Sequence, residues 1–309
     1  MYLDVDMYIK EEQPMVNFLN NNYEYCYLES MHYFNKKYQN VTSIITGLSY
    51  GLDGLESRLL KGNVINFSMH SQDLYYDYLH IKKAVENSGE TIKNCIITLG
   101  YYSLYYDLSL SNNEWKCYKT YMPLFSDIHH SVFEEAVLPS FSCMDKYRQF
   151  YHSFFQEKRS YYGEAILREH TSISISKRGG WLNLNTDERD REAYELAQKH
   201  NRHLKHRDTF MENKIILGNM IQFLTEKNIR PIITVLPFSR EYLRYIDGTY
   251  KEELLSVLDE VSCGVYLDFI DLNDTDFFGE DELLDCDHLN SRGALKATMV
   301  MNGVLNNLF

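Results

Sequence analysis

Proline is scarce in this 309-residue chain, five against 15 glycines, and that composition excludes collagen-like and largely disordered architectures. Positive charge is short as well. The 31 lysines and arginines face 44 aspartates and glutamates, a net charge of -13, which repels phosphate backbones and anionic lipid; no nucleic-acid partner is expected. The six cysteines, Cys26, Cys95, Cys117, Cys143, Cys263 and Cys286, include no C-x-x-C pair. Free thiols in a reducing compartment are expected rather than a disulfide framework. No segment approaches the roughly 20 apolar residues needed to cross a bilayer, and the first residues carry early acids and no apolar stretch of signal length. Membrane insertion is therefore not expected, and the chain reads as cytoplasmic. Neither G-x-G-x-x-G nor G-x-x-x-x-G-K-S/T occurs, so no nucleotide or other cofactor is expected. The sequons at Asn40, Asn66 and Asn273 read as chance matches, and there is no internal repeat.

Apolar residues make up 44% of the chain, enough for a large core. Five short runs rich in β-branched residues stand out: Val41 to Thr46, Val64 to Phe67, Cys95 to Leu99, Ile232 to Leu236 and Val265 to Ile270. They are nearly continuous in apolar character and separated by helical segments, the pattern of a parallel sheet covered on both faces. The expected fold class is α/β, a three-layer α/β/α arrangement around a five-stranded parallel sheet. Helices are expected over Leu52 to Leu60, Gln72 to Asn87, Thr209 to Lys227, Tyr250 to Val261 and Ser291 to Leu308. In the third, Ile216, Leu217, Met220, Ile221, Phe223 and Leu224 form a core-facing stripe at helical spacing.

Residues 101–205, between the third and fourth strands, exceed what one crossover helix requires and read as a large helical, aromatic-rich insertion within a single domain, 1–309. Its aromatics begin directly after strand three with Tyr101, Tyr102 and Tyr105, which could line a ligand groove together with Trp181. Alternatively Phe133, Phe141, Phe150 and Phe154 give the insertion its own small core. Thr186-Asp187-Glu188 opens a charged helix that ends near Lys199-His200, acids first and bases last as the helix dipole prefers.

Ligands of open parallel sheets bind beyond the carboxyl ends of the strands, and two segments there carry reactive side chains. Strand one ends in Gly47-Leu48-Ser49-Tyr50-Gly51, which places a serine at a strand-to-helix turn. After the last strand comes Asp285-Cys286-Asp287-His288, followed by Asn290 and the final helix. Asp285 and His288 are spaced so that a carboxylate can accept the imidazole Nδ1–H and aim Nε2 at a nucleophile. Asp287 is a reserve carboxylate. Each segment alone has an ordinary reading, a helix-capping serine and a surface turn. His200, His203 and His206 diverge by about 60° per step on a helix and read as surface histidines, not metal ligands. His129-His130 reads as a loop pair, and no metal site is expected.

Taken together, the serine after strand one and the D-x-x-H before the last helix resemble the SGNH (GDSL-like) hydrolase superfamily. Three further segments fit. Asn66 to Asp73 is similar to the family's second block, in which a glycine N–H helps form the oxyanion hole; that position is Ser71 here. Leu99-Gly100-Tyr101-Tyr102-Ser103 occupies the third block, where the family has Gly-x-Asn-Asp. Pro231 to Tyr242 resembles the branch that acts in polysaccharide O-acetylation and teichoic-acid D-alanylation. The likeness covers roughly residues 41–103 and 206–307.

The resemblance implies an SGNH/flavodoxin-like fold and a serine-dependent esterase or O-acyltransferase acting on a small-molecule or saccharide ester. Ser49, His288 and Asp285 would be catalytic, and the N–H groups of Ser49 and Ser71 would hold the oxyanion. Three positions depart from the family pattern, the first two mildly, since a backbone turn exposes Ser49 and Ser71 keeps its main-chain N–H. Leu48 replaces the usual Asp, Ser71 replaces Gly, and Tyr102 stands in place of the oxyanion-hole Asn, a donor worth about 10²–10³ in rate. The hydroxyl of Tyr102 or Ser103 is the candidate replacement, with Tyr101, Tyr105 and Trp181 as candidate substrate contacts. A non-catalytic carbohydrate-binding protein on the same fold is the alternative.

Overall fold

The computed structural model describes residues 40–132 and 180–306. Five strands form one sheet: β1 (Ser43–Gly47), β2 (Val64–Asn66), β3 (Asn94–Leu99), β4 (Arg230–Val235) and β5 (Asp268–Asp271). All pairings are parallel, in the order β2-β1-β3-β4-β5. This is the flavodoxin-like doubly wound order, whose direction reverses between β1 and β3. In register, Gly47 lies opposite Thr98, Leu99 opposite Val235, and Val235 opposite Asp271. The carboxyl ends of four strands thus share one edge.

The β-branched residues of β1, β3 and β4 are buried; β5, at the sheet margin, is half-buried and shorter than the apolar run from Val265 suggests. Helices close both faces. On one side α1 (Ser49–Gly54) packs with α7 (Ser291–Leu305); on the other α2 (Leu74–Ser88) packs with α4 (Arg207–Glu226), and α4 with α6 (Thr249–Val261). In α4 the stripe Ile216, Leu217, Met220, Ile221 and Leu224 is buried, with Phe223 at its margin. The fold class is α/β with the expected parallel sheet and covering helices.

Capping side chains set the helix starts. Asp73 accepts the Tyr76 N–H at the head of α2, and Asn290 accepts those of Arg292 and Gly293 at α7. In α3 (Thr186–Asn201), Asn185 and Glu188 form a reciprocal capping box. A helix not anticipated from sequence, α5 (Arg240–Tyr245), starts at Ser239, which accepts the Tyr242 N–H.

The segment after β1 also differs from expectation, starting at Ser49 rather than Leu52 and breaking at Leu55. The Glu56 N–H donates to Thr298 Oγ1 of α7 at 2.8 Å, a tertiary bond that ends the helix and leaves only a 3-10 turn at Ser57–Leu59. Gly47 is required where β1 leaves the sheet. Its φ is +133°, and a Cβ there would lie 2.1 Å from the Thr98 carbonyl oxygen.

Between β3 and β4 the described residues are largely helical. Phe133, Phe141, Phe150 and Phe154 lie outside them, as do Cys26 and Cys143. Cys95, Cys117, Cys263 and Cys286 are free thiols. Among the described residues no helix is long and apolar enough to cross a membrane.

Candidate active site

The shared strand edge carries the reactive side chains. β1 ends at Gly47, Leu48 is extended, and Ser49 is the first residue of α1. Its Oγ lies 2.8 Å from His288 Nε2. The other imidazole nitrogen, Nδ1, is 3.0 and 3.2 Å from the two oxygens of Asp285 and 2.9 Å from Asp287 Oδ1. Two carboxylates, not one, face the same N–H.

Loop construction explains how both reach it. Asp285 Oδ1 accepts the backbone N–H groups of Asp287 and His288, at 3.0 and 2.8 Å, which curls the chain so that residues 285 and 288 face each other. The Leu284 N–H donates to the His288 carbonyl at 2.8 Å. Asn290 Nδ2 donates to the carbonyls of Asp281 and Leu283, tying the loop to the head of α7. Asp287 is buried and its Oδ2 accepts the Tyr50 hydroxyl proton at 2.9 Å. Since Tyr50 spends its single proton there, the Tyr102 hydroxyl 3.3 Å away is the donor to Tyr50.

Charge follows from this packing. Burial opposes a charged His288, but Asp285 and Asp287 outweigh it and raise its pKa well above the ordinary 6.5. Burial likewise opposes ionisation of Asp285, but the facing imidazolium and the loop N–H groups hold it at about 2. For Asp287 burial wins and its pKa is raised. Of the two carboxylates, Asp285 is therefore the one stabilised as the anion and Asp287 the one that takes up a proton more readily. Donor atoms of Asp285, Asp287 and His288 also come within 4.8 Å of one another, but with a hydroxyl on Nε2 the arrangement is that of an acid–base group.

Ser71 lies in the next loop, after β2. It adopts a left-handed backbone, φ 63°, the region where glycine is most at ease. The Asn113 side chain donates to Ser71 Oγ at 2.8 Å, and the Gln72 N–H donates to the Met69 carbonyl at 3.1 Å. Lys116, a buried cation, donates through Nζ to the His70 carbonyl oxygen at 2.6 Å. That oxygen belongs to the same peptide unit as the Ser71 N–H, so the lysine fixes the peptide's orientation and polarises the N–H. Lys116, Asn113 and Tyr50 are the residues that sequence reading missed. Each acts through a backbone group or another side chain and carries no motif.

The aromatic candidates are directed elsewhere. The chain leaves β3 in a buried 3-10 turn, Tyr101–Tyr105, packed against α4 and α6. Tyr101 donates to Asp271 Oδ2 at 2.6 Å, while the Tyr105 hydroxyl is paired with Glu253 and Arg207. Trp181, expected on the pocket wall, is wholly buried, with its backbone N–H donating to the Leu284 carbonyl at 2.9 Å. Tyr105 and Trp181 are core residues in this structure: the turn after β3 carries Tyr105 inward over the helices, and Trp181 sits in a separate 3-10 turn, Trp181–Asn183, tied to the Leu284 carbonyl.

His200 and His203 are half-buried rather than exposed. The His200 ring stacks on Tyr102 with centroids 4.1 Å apart and its Nδ1 lies 2.6 Å from the Tyr242 hydroxyl. Burial pushes its pKa down to about 3, and that of His203 to about 4.

No protein-family model matches the chain, and no curated protein matches it. Among solved structures it is similar to a protein described as an acylhydrolase from Bacteroides fragilis, with 11% identity, 89% of this chain and 93% of that chain covered and a TM-score of 0.42. It is also similar to a GDSL-like lipase from Bacteroides thetaiotaomicron, with 11% identity, 89% and 91% covered and a TM-score of 0.40. A third is a protein described as a platelet activating factor from Streptococcus pneumoniae, with 10% identity, 97% and 99% covered and a TM-score of 0.44. Similarity at this level says nothing of activity, and the functional reading rests on the geometry of the site.

Proposed function

We propose that the protein is a serine-dependent ester hydrolase of the SGNH type, acting on a small-molecule ester. The observation that carries this reading is the 2.8 Å approach of Ser49 Oγ to His288 Nε2, with carboxylates on the far side of the ring. In the proposed mechanism Ser49 Oγ attacks the ester carbonyl carbon as His288 Nε2 takes its proton. The resulting oxyanion is held by the N–H groups of Ser49 and Ser71. Collapse breaks the bond to the leaving alcohol, which receives the proton from Nε2 and leaves an acyl-serine. Water, deprotonated by Nε2, then releases the acid and restores Ser49. Asp285 and Asp287 keep the Nδ1–H side of the ring engaged throughout, so that Nε2 faces the serine.

Replacing water by an alcohol in the second half would make the same site an O-acyltransferase. A saccharide ester is the first candidate substrate, although the buried Tyr105 and Trp181 give it no support. The Tyr102 hydroxyl is committed to Tyr50, which favours an oxyanion hole of two backbone donors. The test is labelling with a fluorophosphonate that reacts with activated serines. Wild-type protein should be labelled, and Ser49→Ala, equally folded by circular dichroism, should not. Absence of labelling in well-folded wild type would refute the enzyme and favour a binding protein on this fold.

A further inference from the structure

Away from the serine, two histidines and two carboxylates converge on one spot. His129 and His130 sit in a turn, Asp107 precedes a 3-10 turn at Leu108–Leu110, and Glu212 projects from α4. His130 Nδ1 is 3.1 Å from Asp107 Oδ2. His129 Nε2 and His130 Nε2 are 3.3 and 3.4 Å from Glu212 Oε1. One donor atom each from Asp107, His129 and His130 falls within 4.8 Å of the others.

The decisive atom is His129 Nδ1. The ring is 7% exposed and Asp107 3%, and Nδ1 is buried with no hydrogen-bond partner among the described residues. Glu212 Oε1 can accept an Nε2–H, the tautomer that leaves the Nδ1 lone pair free to bind a cation. An Asp107 oxygen faces it at 3.9 Å, too far for a hydrogen bond. A lone pair facing a carboxylate across that gap is repulsive, and a positive charge, a proton on Nδ1 or a metal ion between the two, makes the pair attractive.

The ring is also held in place at some cost. It is stacked between Tyr75 and His130, both at 3.9 Å between centroids, on a residue whose φ is 52°. The His129 N–H and the Tyr75 hydroxyl share the two oxygens of Asp127, each at 2.7 Å. Asp107 Oδ1 is steadied by the N–H and hydroxyl of Ser109, at 2.8 and 2.6 Å. Supporting bonds of this kind orient metal ligands, and a carboxylate on the outer nitrogen of a histidine is a common one.

We propose that Asp107, His129 and His130 bind a divalent transition-metal ion of the zinc class, with Glu212 as the carboxylate that orients His129. Imidazole and carboxylate donors suit such an ion. Four-coordinate zinc with bonds of about 2.0–2.1 Å sets its ligand atoms roughly 3.3 Å apart, somewhat closer than the 3.9 Å between His129 Nδ1 and Asp107 Oδ1, so a bound ion would draw these two together. Stacked rings cannot both aim Nδ1 at one ion, so His130, which is half exposed, turns out of the stack to complete the site. It gives up its Nδ1 proton on binding, making affinity fall at acid pH. Three protein ligands leave a position open to water.

The site ties three segments together near the Ser71 loop. Glu114 accepts the Ser131 hydroxyl and the Val132 N–H, and Asp73, at the head of α2, accepts the Leu108 N–H.

The test is calorimetric titration of chelator-treated, full-length protein with Zn(II), with Co(II) absorption as a second probe. One ion should bind at about 1 µM or tighter, with proton release and a rise in Tm. Asp107→Asn and His129→Ala should each weaken binding at least about 100-fold, and Glu212→Gln, at a partly exposed position, about 10-fold. His288→Gln, which alters the acid–base group at Ser49, should leave Zn(II) affinity unchanged. Failure of the folded wild type to bind Zn(II) would overturn the proposal. So would binding that survives Asp107→Asn or disappears in His288→Gln. None of these readouts depends on ester hydrolysis, so the two readings stand or fall separately.

Discussion

Asp287→Asn removes one of the two carboxylates from His288 Nδ1 while leaving Asp285 on the same N–H. A unit charge about 4 Å away at an effective dielectric of about 20 is worth roughly 4 kcal/mol, or about three pH units. Burial raises the proton affinity of Asp287, so it presents only part of a full charge, and about 1–2 pH units is the expected share. In the proposed mechanism His288 must be neutral to take the serine proton, and its pKa is raised. The wild-type kcat/KM therefore climbs with pH along a limb lying above 6.5, and in the variant that limb should move down by this amount. The plateau at high pH should fall by no more than about ten-fold, because Asp285 still holds the tautomer. The assay is hydrolysis of an activated aryl ester between pH 5 and 10. An acid limb that stays in place, or moves upward, would refute the idea that Asp287 charges the ring.

Tyr102→Phe should lower kcat less than about five-fold, since its hydroxyl is engaged with Tyr50; a fall near 100-fold at constant KM would instead make it an oxyanion donor. Asp77 is buried against Thr46 and Gln72, and burial outweighs those bonds to raise its pKa from 3.8 to about 7. Between those values the native state holds a proton that the unfolded chain has released, so this group's contribution to stability falls as pH rises through that window. Asp77→Asn should flatten the dependence of Tm on pH there, and a Tm that drops as steeply as in wild type would count against it. Gly47→Ala should cost at least about 3 kcal/mol in urea unfolding, because its Cβ would meet the Thr98 carbonyl at 2.1 Å on a backbone unsuited to alanine.

Residues that act through their own type and local spacing were legible in the sequence. The buried strands show as unbroken β-branched runs because both sheet faces are covered. Ser49 and the Asp285–His288 pair stand out because they sit at strand ends and helix starts. What sequence hid depends on distant partners. The break after Gly54 comes from Thr298, some 240 residues away, capturing the Glu56 N–H. Lys116 works on a backbone carbonyl, which any neighbouring residue type could carry. Tyr105 illustrates a different limit: an aromatic after a strand can face the ligand or the core, and only the direction of the 3-10 turn decides. His129-His130 had no partner in sequence because Asp107 and Glu212 come from separate elements.

Ser49 and His288 are 239 positions apart in the chain, and if the pair acts as proposed, that separation governs when reactivity can exist. A chain folded only through β4 presents the serine on finished strands, yet it has no base. The hydroxyl gains its acceptor when β5 pairs with Ile232–Val235 and α7 closes against α1, among the longest loop closures in the fold. Partly folded forms should therefore be chemically silent even when most of the sheet is present. During refolding, fluorophosphonate labelling should lag behind recovery of the far-ultraviolet signal, reporting assembly of the two ends of the chain rather than formation of secondary structure.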